Sequence, residues 1–249
     1  ASTGAYSKDM RFSFAGDTLL KASTDKSLTT VFIPSLYTDG NGIYEVKKIG
    51  DSAFAADNGV TSTIKSVKMA RTITAVGEKA FYKQNKLETI YFSDYVSSIG
   101  NSAFEKCELL RYLICPSYLK TIGVYAFRDC FALESVLFNQ KLESIGDYAF
   151  TFSTTTTDQA KIKAQKLTEL IFPSSLSYIG NYSFTNRYKL SKVCWSELKK
   201  EKRIFDEFVD DSRPDINIDD NSIDQTVYKK NVEVTIGDYA FSLLNFDRT

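Results

Sequence analysis

A chain of 249 residues is long enough to bury a sizeable core, and its 31 basic side chains balance 31 acidic ones. That balance leaves no electrostatic footprint for nucleic acid or an anionic membrane surface, and no apolar run reaches the roughly 18 residues that a bilayer span needs. The chain has no histidine, which removes Ser-His-Asp and Cys-His catalysis within it and takes away the commonest transition-metal ligand.

From the N-terminus, residues 1–36 lack the motif that dominates the rest. Arg11–Phe14 and Thr29–Ile33 alternate like strands, with Ala15, Gly16 and Asp17 as a turn between them. We read 1–36 as an N-terminal β cap, which a stack of repeats needs over its first open core. Tyr37–Tyr44, with Asp39-Gly40-Asn41-Gly42 at its centre, reads as a hairpin inserted in the first coil.

Residues 37–198 carry the repeat. An aliphatic residue, Gly, two variable residues, a small residue and Phe recur seven times along the chain, ending at Phe54, Phe81, Phe104, Phe127, Phe150, Phe184 and Phe241. Gly77, Gly100, Gly123 and Gly146 are each 23 residues apart, a regularity that accounts for the heavy use of Phe. Other apolar positions keep step: Leu87, Leu110, Leu133, Leu167 and Leu190 form one column, and Ile90, Leu113, Val136, Leu170 and Val193 the next. Phe92, Cys115, Phe138, Phe172 and Trp195 lie two residues further on, a spacing that puts both columns on one face of a short strand. Pro34, Pro116 and Pro173 end such strands. The repeat Gly suits a turn at positive φ, and the Ala-containing segment from Gly past Phe suits one or two turns of helix. No unit of this size buries its own apolar face, so neighbours must stack.

Within the repeats, 152–165 is a polar insertion with Thr154–Thr157, read as a mobile loop. Residues 199–231 are a charged insertion: Lys199–Arg203 is followed by Ile204, Phe205, Phe208 and Val209 at helical spacing, then an acidic stretch. A short amphipathic helix and an irregular loop, or a degenerate coil, fit this segment. Residues 232–249 hold the last partial repeat. The expectation is one domain over 1–249, an α/β leucine-rich-repeat solenoid with a parallel β-sheet on one face, short helical turns on the other and an N-terminal β cap.

The string Ile99-Gly100-Asn101-Ser102-Ala103-Phe104-Glu105-Lys106-Cys107-Glu108-Leu109-Leu110, continuing through Leu113, Cys115-Pro116, Leu119 and Ile122-Gly123, resembles the BspA-like leucine-rich repeat family. The likeness covers about residues 28–198 and resumes at 232–241. It implies a bacterial, occasionally protist, protein that is secreted or held at the cell surface, with its export signal removed ahead of Ala1. It implies adhesion or host interaction through protein or glycan on a host or neighbouring cell.

The residue between the two inward positions of each strand points outward: Phe32, Lys68, Tyr91, Ile114, Leu137, Ile171 and Cys194. Tyr91, Ile114, Leu137 and Ile171, with Tyr112 beside them, align as an apolar row, and exposed apolar strips mark interaction sites. The same residues are also ordinary strand formers, which leaves a merely half-covered sheet as the alternative. Tyr125, Tyr148, Tyr182 and Tyr239 form another column, suited to stacking on sugars or to packing one turn on the next. Cys107 and Cys130 share a place in adjacent coils and are read as buried free thiols, while Cys194, in the outward row, is the candidate reactive thiol. Asp215–Asn221 alternates oxygen ligands but lacks the Gly and Glu of a calcium loop. No metal, cofactor or catalytic residue is assigned. The sequence thus reads as a non-catalytic binding scaffold acting through its sheet face. A structural spacer is the runner-up, and an enzyme within 199–231 the third reading.

Overall fold

The computed structural model describes residues 10–23, 28–39, 41–58, 63–153, 160–161, 165–196, 216–217, 226–229 and 232–241. The chain opens with β1 (Arg11–Ala15), β2 (Thr18–Ser23), β3 (Thr30–Ile33), β4 (Leu36–Thr38), β5 (Ile43–Glu45) and β6 (Lys48–Ile49). From there two kinds of strand alternate. Three- or four-residue strands carry the L-x-x-aliphatic columns: β7 (Ser66–Met69), β9 (Thr89–Tyr91), β11 (Tyr112–Ile114), β13 (Ser135–Leu137), β15 (Glu169–Phe172) and β17 (Lys192–Trp195). Two-residue strands end just before the repeat Gly: β8 (Ala75–Val76), β10 (Ser98–Ile99), β12 (Thr121–Ile122), β14 (Ser144–Ile145) and β16 (Tyr178–Ile179). β18 (Ile216–Asn217), β19 (Thr226–Lys229) and β20 (Val232–Ile236) complete the order.

The two-residue strands build the longest sheet. Its ten strands run β1-β2-β6-β8-β10-β12-β14-β16-β20-β19, parallel throughout except for antiparallel pairs at each edge, β1 on β2 and β19 on β20. The longer strands make a second wall in three segments, β3-β7-β9, β11-β13 and β15-β17-β18. β2 and β3, inside the segment read as a cap, already occupy the two strand positions of a coil: Leu19 pairs with Ile49, and Val31 with Val67. β4 and β5 form the hairpin expected from the Asp-Gly-Asn-Gly stretch.

Between the walls the Phe side chains meet face to face. Phe54, Phe81, Phe104, Phe127, Phe150, Phe184 and Phe241 stack with ring centroids 4.8–5.3 Å apart and planes within 3–11°. All seven are buried, as are the Leu and aliphatic columns beside them. Burial of each ring stabilises by about 2–3 kcal/mol, and each stacked pair adds about 1 kcal/mol.

The helical turns expected after each Gly are not there. Among the described residues, α-helical geometry is confined to residues 160 and 161, and one 3₁₀ turn spans Ala56–Asn58. Backbone hydrogen bonding explains the difference. In the coil of Phe81, every second N–H leaves the coil: Lys79, Phe81 and Lys83 donate to Asn101, Ala103 and Glu105 of the next coil at 2.8, 2.7 and 2.9 Å. The intervening N–H groups of Ala80, Tyr82 and Gln84 close three-residue turns onto Gly77, Lys79 and Phe81. An α-helix needs all of those donors within its own segment, so stacking and helix compete for the same N–H groups and stacking wins.

The role assigned to the repeat glycines is also corrected. Among the described glycines only Gly16 has positive φ; a left-handed residue instead stands two places after each repeat Gly, from Ser52 (55°) and Lys79 (52°) to Tyr125 (58°) and Tyr239 (54°), and a second six places after it at Lys83, Lys106, Asp129 and Asn186. The repeat Gly serves close approach instead. A Cβ on Gly100 would fall 2.7 Å from Glu78 N and Gly77 C of the coil beneath it, so glycine stacks on glycine where two coils touch by backbone.

Candidate binding face

The second wall turns one side to the core and the other outward. In β11 the alternation is simple: Leu113 is buried, while Tyr112 and Ile114 are 45% and 52% exposed. Register then aligns outward residues across coils. Phe32 pairs with Lys68 and Lys68 with Tyr91, Ile114 pairs with Leu137, and Ile171 with Cys194. Tyr91 is 56% exposed, whereas Leu137 and Ile171 are half-buried. The five residues proposed as a site, Tyr91, Tyr112, Ile114, Leu137 and Ile171, therefore do lie on one face over four successive coils.

Leu137 and Ile171 also line a cavity of about 190 Å³ with Glu134, Ser135, Thr168 and Glu169. It opens between β13 and β15, the two coils separated by the 152–165 insertion. The parts of that insertion at 154–159 and 162–164 lie outside the described residues. Lys161 within it donates to Glu108 Oε2 at 2.7 Å and sits 4.9 Å over the Phe131 ring.

Along one border of the row runs a ladder of ion pairs. Lys65 pairs with Glu88 at 3.5 Å, Arg111 Nε with Glu134 Oε1 at 2.8 Å, and Lys166 with the same Glu134 oxygen at 2.8 Å. Hydrogen bonds from Arg111 and then Lys166 hold the Glu134 carboxyl down at about 2. Arg111 also lies over the Tyr112 ring, 5.3 Å from its centroid. The letters Glu88, Arg111 and Glu134 stand 23 apart with alternating sign, a signal that the sequence reading passed over.

On the opposite border sits a second feature missed from sequence. Tyr95 and Tyr118, again 23 apart, stack at 5.5 Å with planes 16° apart. Lys141 Nζ lies 3.7 Å over the Tyr118 ring, and the Arg71 guanidinium 5.9 Å from that of Tyr95. The Tyr95–Tyr118 stack is thus closed by a cation at each end. The column of Tyr125, Tyr148, Tyr182 and Tyr239 stacks in the same manner, at 4.9–5.2 Å, so coil-to-coil packing is what these tyrosines do in the structure.

Cys194 corrects the reading that made it an outward, reactive thiol. It is fully buried, with Sγ 3.7 Å from Glu169 Oε1, and the backbone of β18 runs antiparallel along its strand. Strand β18, from within the 199–231 segment, pairs with β17, an addition that a 23-residue register does not foresee. Cys107 and Cys130 are free and buried, and each Sγ donates to the carbonyl of the Phe one coil back, Phe81 at 3.4 Å and Phe104 at 3.3 Å. Burial raises both thiols, Cys130 to about 12. The helix expected at 204–209 lies outside the described residues, as do Asp215 and 218–221 of the acidic loop; Ile216–Asn217 is strand. No group of three or more acidic or Cys residues suited to a metal occurs among the described residues.

Comparison with known proteins agrees with this architecture. A leucine-rich repeat protein of T. pallidum superposes with a TM-score of 0.61 at 21% identity, over 76% of this chain and 80% of that one. The pneumococcal vaccine antigen PcpA gives 0.56 at 21% identity over 79% of this chain, and a leucine-rich cell surface protein of Faecalibacterium prausnitzii 0.51 at 23% over 77%. The chain spans about half the length of these last two, 51% and 54%. At such identities the likeness is one of fold. No curated protein matches the chain. The model of the BspA type leucine-rich repeat region matches in six copies over residues 39–157 and 153–231. The chain is a member of the BspA-type leucine-rich repeat family.

Proposed function

We propose that the chain is a non-catalytic scaffold, an open-ended solenoid that binds a protein partner through the outward face of its second wall, at a bacterial surface or outside the cell. The observation that carries this reading is the apolar row Tyr91, Ile114, Leu137 and Ile171, with Tyr112, aligned over four coils, in which Tyr91, Tyr112 and Ile114 are exposed and Leu137 and Ile171 half-buried. Contiguous apolar strips of this kind are costly to leave in water and mark interaction surfaces. Protein is favoured over glycan because the rim tyrosines have their ring faces covered by each other or by Lys141 and Arg71, while stacking on a sugar needs a free face. Two structural neighbours, one a cell surface protein and the other a vaccine antigen, support the location.

The test is a protein and glycan array probed with the purified chain. A protein ligand should emerge, and the Ile114→Asp, Leu137→Asp double variant should lose it while keeping the thermal transition of the parent. A ligand held equally by that variant, or an array with no ligand at all, leaves the structural-spacer reading in its place.

A further inference from the structure

We infer that the occupant of this face is an amphipathic α-helix with acidic flanks, lying along the row and crossing four coils. This rests on the sheet-face reading and adds the partner's chemistry. The first observation is spacing. Successive coils repeat at 4.8–5.3 Å, as the Phe stack measures, and an α-helix advances about 5.4 Å per turn. A helix laid along the stack thus drifts by only roughly 0.3 Å per coil, about 1 Å over the three intervals from Tyr91 to Ile171. An extended peptide presents same-face side chains every ~6.7 Å and falls out of step by about 5 Å over the same distance. A stripe at i, i+4, i+7 and i+11 can therefore set one apolar side chain against each of Tyr91, Ile114, Leu137 and Ile171.

The second observation is where an anchor fits. The cavity between β13 and β15 has an apolar side formed by Leu137 and Ile171. Its two carboxylates are already engaged, Glu134 by Arg111 and Lys166 and Glu169 by Lys192 at 3.4 Å. With those charges matched, an apolar side chain can rest on the Leu137 and Ile171 side of the cavity, next to its polar side of Ser135, Thr168 and Glu169.

The third observation is charge. No ion pair among the described residues involves Lys68, in the row itself, or Arg71 and Lys141 on its border. Asp94, next to Tyr95 on that border, accepts a hydrogen bond from Ser117 Oγ at 3.2 Å. The surplus is positive, which favours Asp and Glu on the sides of the helix that flank its apolar stripe.

Two sets of synthetic 14-residue peptides of matched composition decide the matter by fluorescence anisotropy with the full chain. One set is held helical by aminoisobutyrate and carries apolar residues at i, i+4, i+7 and i+11, flanked by Glu or by Lys. The other alternates apolar and polar residues. The expected result is that Glu-flanked helices bind roughly tenfold more tightly than either alternating or Lys-flanked peptides, and that Ile114→Asp removes this binding with its melting curve unchanged. Alternating peptides binding as well as helices, or helices indifferent to both Ile114→Asp and Leu137→Asp, overturn the inference. If the helices fail while the array yields a ligand sensitive to the double variant, the helix falls and the face stands; if both fail, both fall.

Discussion

Arg187 Nε donates to the carbonyl of Phe150 at 2.6 Å, and its Nη1 reaches the carbonyl of Cys130, one coil further back, at 3.4 Å. Elsewhere this place holds a shorter donor serving one coil only: Gln84 bonds Phe54, Cys107 bonds Phe81, and Cys130 bonds Phe104. In the coil of Phe150 the equivalent residue is Ser153, where the backbone turns into the insertion and donates instead to Asp129 Oδ1. Arg187 fills the space so vacated, with its guanidinium 4.0 Å over the Phe152 ring.

Replacing Arg187 by Ala should therefore cost about 3 kcal/mol, since it opens a cavity and strands a buried carbonyl. Arg187→Gln keeps the bond to Phe150 and should cost distinctly less. Urea denaturation of the two variants checks the order: the loss in Arg187→Gln reads the second reach, to Cys130, and equal losses in both variants would show that the bond to Phe150 contributes nothing.

Truncating the spine should be most damaging in its middle. Phe104 stacks on both Phe81 and Phe127, while Phe241 has Phe184 on one side. Phe104→Ala is expected to lower stability by about 4 kcal/mol, and Phe241→Ala by less. Denaturant midpoints of the two variants, with slopes compared, provide the measurement.

Glycine and left-handed residues divide two jobs usually done by one, and paired substitutions separate them. Gly123→Ala forces a Cβ to 2.7 Å from Asn101 N and should destabilise strongly. Lys79→Gly, at φ 52°, relieves left-handed strain at an exposed site and should stabilise by roughly 0.5 kcal/mol. Calorimetry that gives both changes the same sign would contradict the division.

The Phe stack, the strand columns and the exposed row could all be read from the letters, because each follows from one side chain repeating every 23 residues. What escaped depends on backbone groups meeting across that interval. Two-residue strands such as Ser98–Ile99 are too short to alternate, and their partners are Ala75–Val76 and Thr121–Ile122 in other coils. β2 escaped because a bulge between Ser13 and Phe14 sets its buried Leu19 and Ala22 three apart rather than two. Cys194 was misplaced because strand alternation alone makes it outward, whereas the folded chain buries it beside Glu169.

Acid should weaken the face before the core. The Glu134 carboxyl lies below its unfolded value of 4.5, so its contribution is complete above that value and is lost as pH falls toward about 2. Glu134→Gln should flatten this part of the stability–pH curve, and high salt should shrink it in the parent. Melting temperatures between pH 2 and pH 6 test both effects.

Thiol chemistry should report on unfolding alone. Cys107, Cys115, Cys130 and Cys194 are all buried, and burial raises the first three well above the ordinary thiol range. Ellman's reagent is expected to find no fast thiol in the native chain and four in guanidinium. One rapid native equivalent would mean that Cys194 is open after all.

The glycine seam has a bearing on size as well as stability. Since each regular coil touches its neighbour through the same backbone surface, a whole 23-residue unit inserted between Gly77 and Gly146 would meet familiar partners above and below. Lengthening the molecule then needs only duplication in frame, each added rung extending its reach by about 5 Å. Around Cys130, Phe150 and Arg187, where one side chain ties three rungs together, such a splice would cut a bond that no single unit carries.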